Sequence, residues 1–407
     1  MNLAVADPIL DLARAGKAAT RQLASLSTTA KNEALRDIAR ALADDRERIL
    51  AANVADVSAA ETAGLAAPMV KRLRLDARGL EAIGAALFEI VRLPDPVGEV
   101  VERTARPNGL LIQRMRAPLG LVAMIYESRP NVTVESAALL LKSGNAALLR
   151  GGAEALRTNR ALEAAMKRGI EGTEVPADFM NVVPRADRDD VRRIVQLEGI
   201  VDLAIPRGGE GLIRAVTEHA KVPVLRHDRG VCHVYVDASA DLDMARKVVL
   251  DGKTSNPATC NATECALVHR DVAAALLPAL EADLREAGVT IHRDEAAWGR
   301  EFLDLAIALR VVDSLDEAMD HIARFGSRHS EAIVTRDEVA ARRFVHEVDA
   351  SCVLWNASTR LNDGGSLGLG AEIGISTTKL HAYGPMGLRE LTTVKFVVQG
   401  EGHIRGR

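Results

Sequence analysis

The 407-residue chain carries 52 Lys plus Arg against 56 Asp plus Glu, a formal charge of −4, with 48% hydrophobic, 27% charged and 3% aromatic residues. This is a normal globular balance, long enough for two or three domains and for a core that needs no staples. The near-neutral charge, the lack of a basic stripe and the scarcity of aromatic stacking platforms exclude a nucleic-acid binder.

The N-terminal stretch has an early acid and no basic segment before an apolar run, so no signal peptide is expected. No 18-residue apolar run occurs, so no membrane span and a cytoplasmic protein are expected. Residues 7 to 63 predict amphipathic helices: Leu35, Ile38, Ala39, Leu42 and Ile49 recur at helical spacing up to Gly64. A further helix is predicted over 76–91, stopped by Pro94 and Pro96.

Residues 110–116 read as a strand, and Pro118-Leu119-Gly120 as a turn. Strands then alternate with helices. The strands are predicted at 121–126, 146–149, 179–183, 201–205 and 222–225, and the helices at 133–142, 157–168, 188–197 and 210–219. The alternation implies an α/β domain with a mostly parallel sheet, and Gly144 fits the position just past a helix end. A strand at 232–236 and a helix at 241–250 follow. A second alternating block from Ala266 to about Phe344 has strands at 265–268, 308–312 and 332–334. Residues 356–387 include seven glycines among Ser, Thr, Asn and Asp, and a long loop of this kind is usually functional.

Four cysteines stand at 232, 260, 265 and 352, in no metal or disulfide pattern. Three of them lie in or beside apolar strand patterns. Cys260 sits instead in S-N-P-A-T-C-N-A-T-E, where small polar neighbours suit a reactive thiol. Two turns, Arg150-Gly151-Gly152 and Arg207-Gly208-Gly209, follow strands, the second just before a helix. Glycine there lets the backbone approach an anion, and a helix N-terminus attracts it. Ligands of open α/β sheets gather at these carboxyl ends, although the G-x-G-x-x-G fingerprint is absent. Of the ten histidines, His227, His233 and His381 fall near these segments, but none has metal-ligand spacing, and no metal is expected.

Taken together, the motifs resemble the gamma-glutamyl phosphate reductase family of the aldehyde dehydrogenase superfamily, over nearly the whole chain. The pieces that carry the resemblance are I-Y-E-S-R-P-N-V-T at 125–133, K-S-G-N-A-A-L-L-R-G-G at 142–152, C-H-V-Y-V-D at 232–237 and the block V-L-W-N-A-S-T-R-L-N-D-G-G through P-M-G-L at 353–388. The resemblance implies two Rossmann-like parallel-sheet domains plus an oligomerisation arm. The cofactor domain is expected at 1–226 and 366–384, the catalytic domain at 227–365 and the arm at 108–116 and 390–407. It implies NADPH-dependent reduction of L-glutamate 5-phosphate in proline biosynthesis, with functional coupling to glutamate 5-kinase. The apolar C-terminal strand, an exposed edge unless paired, implies a homo-oligomer.

On the same basis Cys260 is the nucleophile. Arg150, Gly151, Gly152, Arg207, Gly208 and Gly209 approach NADP, and Glu301 resembles the acid that grips the nicotinamide ribose. Arg129, Arg207 and Arg360 are the cations for the substrate's anions, and Asn356, Ser358 and Thr359 suit its amino-acid end. A donor to the oxyanion falls to Asn131 or to Arg129. The chain departs from the family pattern at Tyr383, where Arg is usual, and before Cys260. The loop R-H-D-R-G at 226–230 has no Glu to activate water, and Asp228 is its one carboxylate. The runner-up is an oxidative or coenzyme A-acylating aldehyde dehydrogenase.

Overall fold

The computed structural model describes residues 7–185, 187–226 and 229–405. They form two compact units. The first is Met1–Leu225 with Leu369–Gly374 and Met386–Arg407, and the second is Arg226–Gly368 with Ile375–Pro385.

The first unit opens with helices Pro8–Leu23, Thr28–Asp44, Arg46–Thr62 and Ala77–Arg92. The first of these starts where the Asp7 carboxylate accepts the Ile9 and Leu10 N–H groups, a cap that typically contributes about 1 kcal/mol. Its buried residues Ile9, Ala13, Gly16, Ala19 and Leu23 fall on one helical face. Gly16 lies there because a Cβ would come within 2.9 Å of Leu121, so the helix packs tightly on the sheet.

That sheet has four parallel strands in the order Met180–Val182, Ala146–Arg150, Leu121–Tyr126, Leu203–Arg207. Every residue of Leu121–Tyr126 is fully buried, as an unbroken apolar run between two partners demands. The expected fifth strand at 222–225 is reduced to one bridge, Ala204 to Val224. Pro223 lacks the N–H that a full ladder would need. Gly144 ends helix Pro130–Lys142 at φ 76°, a conformation that glycine adopts without penalty.

Chain order runs outward from Leu121–Tyr126 and then returns to Leu203–Arg207 on its other side. The order therefore reverses between these two strands, and ligands of open α/β sheets bind at the carboxyl ends of such a pair. A separate antiparallel sheet joins Val100–Ala105, Leu111–Pro118 and Thr392–Gln399. Its first strand was not expected. V-V-E-R-T-A is exposed throughout, so no alternation betrays it.

The second unit holds six parallel strands in the order Cys352–Trp355, Ser330–Val334, Cys232–Val236, Thr263–His269, Ala306–Val312, Thr290–His292. Its core packs Val234, Val236, Ala266, Val268 and Ile307 against helices Leu242–Thr254 and Arg270–Glu286. The helix expected at 241–250 continues to Thr254. Lys253 and Glu264 are fully buried as an ion pair at 2.7 Å, and burial pushes the Glu264 carboxyl up to about 7. Of the residues 366–384 expected with the cofactor domain, 366–368 and 375–384 group with this unit. Ile375–Ser376 pairs with Gly384–Pro385, and Thr377 donates its N–H to the Arg226 carbonyl.

Candidate active site

In the first unit, the carboxyl ends of Leu121–Tyr126 and Leu203–Arg207 carry three of the expected groups. Arg207 donates to the Ile373 carbonyl at 2.6 Å. Gly374 is a glycine at φ 150° because a Cβ would sit 2.7 Å from that guanidinium. Arg129 caps helix Pro130–Lys142, whose first turn holds Asn131. These residues line one cavity with Val132, Glu135, Ser136, Glu372 and Ile373. The Asn131 amide donates to both Glu135 carboxylate oxygens at 3.2 Å. Burial pushes the Glu135 carboxyl above the usual carboxylate range, against the pull of Asn131, Arg207 and Arg129.

Both glycine turns are approached by carboxylates. Gly209, which precedes helix Glu210–His219, donates its N–H to Glu127 at 2.9 Å. A Cβ on Gly208 would lie 2.5 Å from the same oxygen. The Glu154 carboxylate folds over Gly152, where a Cβ would be 2.2 Å away. It accepts the Ser128 N–H and hydroxyl, each at 2.7 Å. Ser128 holds φ 43°, an uncommon conformation outside glycine that is fixed here by the double contact. Arg150 donates to the Asp187 carbonyl at 2.9 Å. Burial lowers its pKa, against the charges of Asp190, Glu154, Glu127 and Asp187. Gly151 leaves room for Asn159 Nδ2, 2.1 Å from where a Cβ would stand.

In the second unit Cys260, Thr359 and Arg360 gather at the amino edge of the sheet, whereas Asn356 follows strand Cys352–Trp355 at the carboxyl edge. Cys260 is half-buried, in the loop before strand Thr263–His269. The backbone of Gly230 presses against it, since a Cβ there would lie 1.9 Å from the Cys260 carbonyl oxygen and 2.6 Å from its Cα. The Gly230 N–H donates to Glu301 at 2.8 Å, so Glu301 secures that approach. Asn261, next to the thiol, is buried and donates to the Asn362 carbonyl at 3.0 Å. Cys232 donates its thiol to the Cys260 carbonyl at 3.2 Å. Burial pushes the Cys232, Cys265 and Cys352 thiols up, as befits cysteines that serve only packing.

The other expected substrate residues are engaged within this unit. The Asn356 side chain, at φ 56°, bonds both backbone groups of Thr335. Ser358 caps the turn Thr359–Leu361, and Thr359 meets Thr263 at 3.0 Å. Arg360 donates to Ser255, Thr259 and Asn261. Tyr383 donates to Asp349 at 3.4 Å. Lys379 lies 5.6 Å over its ring and pairs with the same carboxylate, which puts a cation beside the position where Arg is usual. His227 and Asp228 lie outside the described residues.

Buried His233, Cys265 and His321 bring one ligand atom each within 4.8 Å of one another. Arg310 donates to His321 Nδ1 at 2.6 Å. A guanidinium is only a donor, so the proton of the neutral ring sits on Nε2 and faces Cys265 Sγ at 3.7 Å. Burial lowers the His321 pKa to about 3, which keeps the ring neutral. Cys265, His321 and Arg310 are therefore linked by hydrogen bonds, and with its proton on Nε2 the His321 ring has no lone pair for a metal.

Glu127 and Glu135 were missed at the sequence level. Only Glu135 left a signal, because it stands four residues after Asn131 on one helix.

The aldehyde dehydrogenase family model matches residues 2–299. The gamma-glutamyl phosphate reductase of Anaeromyxobacter dehalogenans is 54% identical, covering 99% of both chains. That of Sorangium cellulosum is 53% identical, covering 97% of both. The crystal structure of the gamma-glutamyl phosphate reductase from Thermotoga maritima superimposes with a TM-score of 0.96 at 44% identity, covering 98% of this chain and all of the other. With its parallel-sheet units and the cysteine loop before a strand, the chain belongs to the aldehyde dehydrogenase family.

Proposed function

We propose that the protein reduces L-glutamate 5-phosphate to L-glutamate 5-semialdehyde and phosphate through a thioester on Cys260, the reductive step of proline biosynthesis. The carrying observation is the Cys260 loop, a half-buried thiol among polar side chains, in a chain that matches gamma-glutamyl phosphate reductases from end to end. These relatives do not favour the oxidative or acylating alternative.

An acyl phosphate is an activated carboxyl. Attack by the Cys260 thiolate on its carbonyl forms the C–S bond and expels phosphate. A bound nicotinamide dinucleotide supplies the hydride. Cys260 then leaves as thiolate when the thiohemiacetal collapses to the aldehyde. The Cys260 backbone N–H is one donor for the developing oxyanion, and Asn131 is assigned the second on the sequence reading. Arg129 and Arg207 suit the substrate's anions, being guanidiniums that line one cavity. Asn356, Ser358 and Thr359 keep the amino-acid end, and Glu301 the nicotinamide ribose. Phosphate-activated glutamate comes from a kinase, so coupling to a glutamate 5-kinase belongs to this reading. Phe396 is 71% exposed and Val398 55% on the terminal strand, which supports pairing with a second copy.

The cofactor reading places a dinucleotide at the point where the sheet order reverses, against Gly208, Gly209 and the helix start that follows them, with Arg150, Gly151 and Gly152 on the neighbouring strand end. A phosphate there would take the Gly209 N–H that Glu127 holds in this structure. Ala153 stands where the family's acid would hold a ribose diol, and Ser128 engages one oxygen of nearby Glu154. A 2′-phosphate instead meets Arg150. We therefore expect kcat/KM for NADPH at least about tenfold above that for NADH, ~1.4 kcal/mol of discrimination. Initial rates of cofactor oxidation with glutamyl phosphate test both the reaction and the preference. Equal values refute the preference, and activity confined to simple aldehydes with NAD refutes the reaction.

A further inference from the structure

We infer that Arg360 is a positioning residue that holds the nucleophile loop in its reactive shape, and not a ligand for the substrate's anions. The inference rests on the reading of Cys260 as nucleophile and adds to it how the thiol is held. The Arg360 guanidinium is half-buried and spends its donors on side chains at both ends of one seven-residue loop. Nε donates to Ser255 Oγ at 3.2 Å, and Nη1 donates to Thr259 Oγ1 at 3.0 Å and to Asn261 Oδ1. Thr259 and Asn261 flank Cys260 directly, and their side chains bond each other at 2.9 Å. The Asn261 amide returns a bond to the Arg360 carbonyl at 3.3 Å, so the loop and the turn Thr359–Leu361 hold each other in both directions.

Ser255 caps helix Leu242–Thr254 at its carboxyl end. The helix dipole is negative there and works against a thiolate nearby, whereas a fixed cation offsets it. Lysine keeps the charge but is a point donor on a flexible stem. It cannot span the two ends of the loop as a planar fork does.

The test uses the full-length enzyme with Arg360→Lys and Arg360→Gln, with Cys260→Ala as control. The rate of Cys260 alkylation by iodoacetamide is followed from pH 6 to 10, with the labelled peptide identified by mass spectrometry. The NADP-dependent oxidation of semialdehyde gives kcat and the KM for phosphate. Arg360→Lys should lower kcat by about a hundredfold and leave the KM for phosphate within about threefold. The alkylation profile should move to higher pH by about one unit. Thr259→Val removes one acceptor and leaves the guanidinium in place. It should lower the alkylation rate about tenfold, and it carries the test if the Arg360 variants do not fold. A KM for phosphate raised tenfold or more with kcat retained would make Arg360 an anion ligand and overturn the inference. So would unchanged alkylation and unchanged kcat. If Cys260→Ala keeps turnover, the functional reading falls and takes this inference with it. If Cys260→Ala is inactive and the Arg360 variants change only the KM, this inference falls alone.

Discussion

Replacing Cys260 by serine is expected to lower turnover of glutamyl phosphate by several orders of magnitude while thermal unfolding and dinucleotide binding stay at wild-type values. A hydroxyl is nearly isosteric with the thiol, and the Cys260 loop is held by Asn261, Thr259 and Arg360, none of which needs sulfur. Serine is a poor nucleophile unless a base activates it, and the family loop Arg226 to Gly230 offers no glutamate for that. None of the other three thiols can substitute, because burial pushes each of them up. Steady-state rates with glutamyl phosphate and NADPH, beside melting curves, check this. More than about a tenth of wild-type activity is only ~1.4 kcal/mol of barrier and is incompatible with the assigned role.

Gly230→Ala should also be damaging, although residue 230 does no chemistry. Its added Cβ meets backbone, the Cys260 carbonyl oxygen at 1.9 Å and Cα at 2.6 Å. No rotamer relieves such a clash, so the strand entry at 230–232 or the Cys260 loop must shift. A misplacement of about 1 Å at a reacting centre costs on the order of a hundredfold in rate. The Gly230 N–H to Glu301 bond is strained by the same movement. We expect kcat to fall about a hundredfold with a lower melting temperature. Gly211→Ala, where a Cβ meets nothing within 4 Å, should leave both unchanged. A Gly230→Ala enzyme with wild-type kcat would show that the Cys260 loop tolerates displacement.

The strands of the first unit were legible because they are buried on both faces. Leu121–Tyr126 and Ala146–Arg150 read as unbroken apolar runs between turn residues. The exposed strand Val100–Ala105 and the two-residue ladder of Ile375–Ser376 with Gly384–Pro385 left no such trace. Cys260 stood out by its small polar neighbours. The carboxylate on the Gly209 turn did not, because Glu127 reaches Gly209 across 82 positions. Local pattern cannot report contacts made at that separation. The part played by Arg360 was hidden for the same reason, its partners lying about a hundred positions away. The rule for open sheets favours carboxyl ends, whereas Gly230, Cys260 and Glu301 all precede the strands they lead into.

The proposed thioester on Cys260 passes its acyl group to phosphate and not to water. Hydrolysis of that thioester needs a general base, and the loop at 226–230 supplies no glutamate for it. Oxidation of L-glutamate 5-semialdehyde by NADP, followed at 340 nm with phosphate varied from zero, tests this directly. Steady turnover is expected only when phosphate or arsenate is present. Sustained oxidation to free glutamate in phosphate-free buffer would contradict it.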